Sequence, residues 1–127
     1  MGGVVLTFAG RAYPLLFNGA ALFAAQELTD KNLVEAVTEY SKEGFGLLCR
    51  LVAILSEQAE LCRRYEGYAP AEPLTAERLL CTAMPYDIEA MRLAALDALT
   101  RGYRREQAEE EEIDLGLLEL QKKSDPA

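Results

Sequence analysis

The amino-acid pattern predicts an α+β, mostly α fold, with an N-terminal β-hairpin packed on a bundle of about five to six helices. Three observations predict it. Apolar residues alternate strand-fashion on both sides of a glycine in the first 17 residues, and from Asn18 onward they recur at helical spacing. Half of the 127 residues are hydrophobic. A chain this long buries roughly two-thirds of the surface its unfolded form exposes, enough for one core and too little for two. Residues 1–105 are expected to form a single globular domain, and 106–127 an acidic linker with a C-terminal amphipathic segment.

Residues 4–17 read as the hairpin. Val4-Val5-Leu6-Thr7-Phe8 is answered by Ala12-Tyr13-Pro14-Leu15-Leu16-Phe17. A two-residue turn at Gly10-Arg11 would oppose Phe8 to Tyr13, Leu6 to Leu15 and Val4 to Phe17, all apolar and all on one face. Pro14 cannot donate to a ladder, which marks its strand as an edge. A lone hairpin is marginal, so its apolar face must pack on helices.

Asn18 is placed to cap a helix through about Leu28, and Thr29-Asp30 to start a second with Leu33, Val34 and Val37 inward. Gly44 and Gly46 are expected to loosen the chain before the longest helix, roughly Phe45 to Tyr65. Leu48, Val52, Leu55, Ala59 and Cys62 form its stripe, widened by Leu47, Leu51 and Ile54. Residues 67–73 read as a loop. Thr75 should cap the next helix, with Leu74 stapled onto Leu79, and Met84-Pro85 should end it. A helix from about Tyr86 to Arg101 follows, with Ile88, Met91, Ala95 and Leu99 inward and Gly102 at its end. A last helix is expected over about Ile113 to Lys122.

Charge is concentrated at the C-terminus. Residues 106–127 hold eight acids and two lysines, a net of −6 out of −8 for the whole chain. A glutamate run resists compaction, while the apolar cluster after it must leave water by docking on its own domain or on another protein. On a helix, Ile113, Leu117 and Leu120 share one side and Leu115 and Leu118 another. These five residues are the candidate partner-binding positions. Arg92 joins them, because helical spacing sets it among Ile88, Ala95 and Leu99. It either snorkels to the edge or needs a carboxylate partner, on this or another chain.

Composition removes several functions. The acidic balance argues against nucleic-acid binding, and Arg63-Arg64 and Arg101, Arg104 and Arg105 read as helix C-termini. No stretch reaches the ~18 apolar residues of a membrane span. The N-terminus lacks the features of a secretion signal, and Leu6 stands where a myristoylation motif needs Ser or Thr. Cys49, Cys62 and Cys81 read as reduced thiols packed as small hydrophobes.

The chain contains no histidine, which removes the common general base and the commonest zinc ligand. Asp87 and Glu89 suit a helix start, where acids are favoured by the dipole. Glu35 and Glu39 lie one turn apart but lack the Glu-x-x-His partner of a di-metal bundle. Gly44-Phe45-Gly46 is not a phosphate loop, and the glutamate run lacks the pattern of a calcium loop. No catalytic, cofactor or metal residues are assigned. A small enzyme relying on carboxylates would need a pocket with acids whose pKa values are driven apart.

A hairpin leading into "LLFNGAALFAAQEL", then several amphipathic helices and the ending "EEEEIDLGLLELQKK", resembles the small tail assembly chaperones of long-tailed bacteriophages and prophages, over essentially the whole chain. The resemblance implies a non-enzymatic protein of the host cytoplasm, absent from the mature virion. It implies binding to the tape measure protein, with the tail tube protein and further copies of the chain as additional partners. Many members have a longer frameshifted form, and Lys122-Lys123 is a place that suits such a slip. The alternative is another small phage or bacterial adaptor or inhibitor with a single partner, separable by its one-to-one stoichiometry.

Overall fold

Two backbone positions fix how the chain begins. Ala9 and Gly10 both have positive φ, 51° and 77°, the geometry of a type I′ turn, whose twist matches that of antiparallel strands. In the computed structural model, which describes the backbone of residues 3–124 and the side chains of residues 3–104, this turn joins strand β1 (Val4–Phe8) to strand β2 (Arg11–Leu15). The turn is therefore Ala9-Gly10 rather than Gly10-Arg11. The pairs become Phe8 with Arg11, Leu6 with Tyr13 and Val4 with Leu15. A displacement of two residues preserves the side on which each residue points. Val4, Leu6, Phe8, Tyr13 and Leu15 thus remain the buried face, and Phe17 is buried just beyond the ladder.

Helix α1 (Gly19–Gln26) starts where Asn18 Oδ1 accepts from the Ala21 amide at 2.9 Å. It ends two residues short of the expected Leu28. Helix α2 (Leu33–Thr38) is capped by Asn32, not by Thr29-Asp30: Asn32 Oδ1 accepts from the Val34 amide at 2.9 Å. Thr29 Oγ1 accepts instead from the Lys31 amide, closing a local turn that competes with helix initiation. Helix α3 (Lys42–Tyr65) begins at a Ser41 cap and takes Gly44 and Gly46 into its first turns. A Cβ at Gly44 would strike the Glu39 carbonyl, so that glycine serves close packing rather than looseness.

Thr75 caps helix α4 (Ala76–Thr82), and Leu74 and Leu79 are both buried. Helix α5 (Pro85–Ser124) opens with proline at its first position, where no amide is needed. Asp87 Oδ2 accepts from the Met84 amide at 2.8 Å across that turn. The expected end at Gly102, and the separate helix from Ile113, are replaced by one helix of 40 residues. Gly102 is explained by packing. A Cβ there would lie 2.7 Å from the Phe17 carbonyl oxygen, so glycine lets the exit of β2 cross the helix closely.

The result is α+β and mostly helical, with the hairpin packed on five helices. Helix α3 is its axis, touching β2, α1, α2, α4 and α5. Leu48, Leu51, Val52 and Leu55 of α3 are fully buried, as are Met91, Ala95 and Leu99 of α5. Cys62 and Ile88 reach only half-buried positions at the ends of their stripes. The amide of Leu16 donates to the Leu55 carbonyl at 3.0 Å, fastening the hairpin exit to the axis.

Candidate protein-binding surfaces

Arg92 is 6% exposed, and its Nε and Nη1 both donate within the chain. Its Nε donates to the Val37 carbonyl at 2.9 Å, and its Nη1 donates to Glu89 Oε2 at 2.6 Å and to the Tyr40 hydroxyl. The guanidinium also lies 3.8 Å from the Tyr40 ring centroid. The carboxylate partner that a buried arginine requires is thus supplied from one turn earlier on α5. Arg92 ties α5 to the end of α2, beside a hollow of roughly 250 Å³ between Tyr40, Phe45 and Ile88.

A larger open cleft, roughly 580 Å³, lies along the outer side of α3. Arg50, Ile54, Glu57, Leu61 and Arg64 line it at intervals of three or four residues, so one face of α3 forms the floor. Leu28, Pro73, Leu74 and Ala76 supply the apolar walls. Ile54 is half-buried and Leu61 is 46% exposed, which leaves apolar surface open to solvent.

Two polar side chains on the apolar side of α3 hold the wall that carries residues 71–76. Ser56 Oγ accepts from the buried Leu74 amide at 2.9 Å. Glu60 accepts from the Ala71 amide at 2.6 Å, from Arg63 at 2.9 Å and from Arg64 at 3.1 Å. The Ala71 hydrogen bond leads in holding the Glu60 carboxyl below the usual carboxylate range, against the opposing effect of burial, with Arg64 and Arg63 assisting. Sequence reasoning missed both residues. The signal was there: Ser56 and Glu60 follow Val52 at intervals of four on the apolar side of α3, and buried polar groups need partners.

Other large apolar side chains lie exposed, including Phe23 at 68% on α1 and Leu93 at 60% on α5. Tyr86, Ala90 and Leu93 follow one another at helical spacing and are all exposed. The predicted partner-binding residues Ile113, Leu115, Leu117, Leu118 and Leu120 lie outside the described side chains, on the continuation of α5. They are therefore not brought together with Arg92 by anything described.

Reactive chemistry finds little footing. Burial pushes the Cys49 thiol up to about 11, with Arg50 opposing, so it is a poor nucleophile. Among the described residues no group of three or more Cys, Asp or Glu side chains is arranged to hold a metal ion, and no helix is long and apolar enough to cross a membrane. Comparison with protein-family models, with curated proteins and with solved structures gives no match.

Proposed function

We propose that this protein is a tail assembly chaperone of a long-tailed bacteriophage or prophage, binding the tape measure protein and keeping it soluble before the tail tube polymerises. The observation that supports this reading best is apolar surface left open on a strongly acidic chain. The α3–α4 cleft, Phe23 and the Tyr86–Leu93 face are available to another polypeptide. The net charge of −8 keeps a coated client apart from its neighbours.

The mechanism follows from those two properties. Apolar side chains, chiefly Leu115, Leu118 and their neighbours, with the hairpin edge as a second surface, cover apolar stretches of a client helix. A chaperone must later be displaced, so individual contacts are modest and strength comes from many copies on one long client. Work in the host cytoplasm and absence from the finished particle belong to the same proposal.

Co-expression with the tape measure protein tests it. The client should move to the soluble fraction and copurify with many copies of this chain. Leu115→Asp with Leu118→Asp should return it to the pellet. A client that stays insoluble beside the intact chain refutes the proposal, and a one-to-one complex replaces it with a single-partner adaptor.

A further inference from the structure

We infer that the free edge of β1 is a docking site for an extended segment of another protein, which adds to the hairpin as a third strand. Register decides which main-chain groups are free. The Ala9-Gly10 turn makes Phe8 and Arg11 the first pair to exchange hydrogen bonds, and Leu6 with Tyr13 and Val4 with Leu15 follow. The amides and carbonyls of Val5 and Thr7 therefore point away from β2. No hydrogen bond from any described residue reaches them on that side.

The two edges of the hairpin differ. On β2 and its exit the outward positions are Ala12, Pro14 and Leu16. Pro14 has no amide to offer, and the Leu16 amide donates to the Leu55 carbonyl of α3 at 3.0 Å. Ala12 and Pro14 also border a hollow whose other walls include Ser56 of α3, Ala71 and Pro73. The β1 edge carries none of the usual protections, neither a proline, nor a bulge, nor a charged side chain. Val5 is 55% exposed, and Thr7 is exposed as well.

Four unpaired main-chain groups at alternate residues are matched by another extended main chain. A helix spends its own amides and carbonyls internally and cannot match them. A client helix of the function proposed above can lie on the side chains of this edge, but only a strand meets its main-chain groups, so the docking site does not depend on that function. Side chains narrow the occupant further. Val5, Thr7, Ala12 and Pro14 share the outer face and carry no charge, which suits small or β-branched neutral neighbours. The Phe8 end is cationic. Arg78 lies 5.8 Å from the Phe8 ring centroid and Arg11 lies 4.8 Å from that of Tyr13, and neither makes an ion pair with any described residue. The occupant is thus an extended segment, neutral beside Val5 and Thr7 and acidic where it passes Phe8.

The test titrates the purified, isotopically labelled chain with the peptide acetyl-Asp-Thr-Val-Thr-Val-amide. Antiparallel to β1, its aspartate comes opposite Phe8 and its two threonines opposite Thr7 and Val5. Binding should be saturable, and the Val5 and Thr7 amides should move downfield in the NMR spectrum and lose exchange with water. Methylating the backbone nitrogens of both peptide threonines removes the two donors that face β1. It should weaken binding about tenfold or more, the scale of two lost hydrogen bonds. Lysine in place of the aspartate should weaken it about threefold. Thr7→Pro, which blunts β1 as Pro14 blunts β2, should abolish binding while circular dichroism remains that of the folded chain. The methylated peptide tests the same point with the protein unaltered, should that variant fail to fold. Absence of saturable binding, equal affinity for the methylated peptide, or shifts centred away from β1 overturns the inference. Val5 and Thr7 amides already shielded in the free chain overturn it too, since a second copy then covers the edge. Each of these results leaves the client co-expression test standing by itself.

Discussion

Replacing Gly102 by alanine sets two opposing effects against each other, and the structure decides between them. In an ordinary helix interior the change stabilises by about 1 kcal/mol, because glycine loses more backbone freedom on folding. At Gly102 the new methyl would stand 2.7 Å from the Phe17 carbonyl oxygen and against its ring. A ring can turn aside; a carbonyl oxygen cannot, least of all here, where the neighbouring Leu16 amide is fastened to Leu55. Overpacking of this kind costs about 1–3 kcal/mol. The net expectation is a loss of about 1 kcal/mol, the middle of a range of about 0–2, and a fall in melting temperature of the order of 5 °C. Gly46 is the control. It lies within α3, and a Cβ there meets nothing within 4 Å. Gly46→Ala should therefore stabilise by about 0.5–1 kcal/mol. Urea unfolding followed by circular dichroism measures both. A Gly102→Ala variant at least as stable as the wild type, or the same sign of change at both positions, would refute the close crossing of β2 and α5.

Two further outcomes can be checked on the same apparatus. Arg92→Met removes the donor to the Val37 carbonyl and should cost about 1–3 kcal/mol. The larger penalty of an orphaned buried charge does not apply, because Glu89 is 55% exposed and returns to water. Glu60→Gln should flatten the acid limb of stability. A carboxyl whose folded pKa is lowered contributes stability that is complete above its unfolded value and is lost as pH falls through the folded one. Hydrogen exchange should show the Ala71 amide losing protection in acid in the wild type and keeping a lower, pH-independent protection in the variant, whose neutral side-chain oxygen still accepts but more weakly than a carboxylate, and the same pH dependence in both would contradict the role given to Glu60.

Much of this fold was legible because its local signals agree. Asn18 and Thr75 each cap a helix start that sequence and structure share, Met84-Pro85 separates two helices in both, and the apolar stripe of α3 defines the axis. The hairpin face survived an error in its turn because a slip of two residues keeps the inward set inward. What failed was glycine. Gly44 and Gly102 look like punctuation in sequence, but their purpose is tertiary: a carbonyl of another segment approaches too closely for any Cβ. Such crossings leave no periodicity to read. The cleft was hidden for a related reason, since its wall depends on Ser56 and Glu60 reaching residues 11–18 positions away.

The unbroken course of α5 changes what its acidic stretch has to accomplish. Starting a helix is the unfavourable step, with a nucleation constant of roughly 10⁻³, whereas lengthening one is nearly neutral. Residues beyond Gly102 do not start anew; they prolong a rod already seeded by Met91, Ala95 and Leu99 in the core. Mutual repulsion among the glutamates thus opposes elongation only. A molecule recognising this end meets a backbone that is already helical, and its own association is spared most of the entropy of coil ordering.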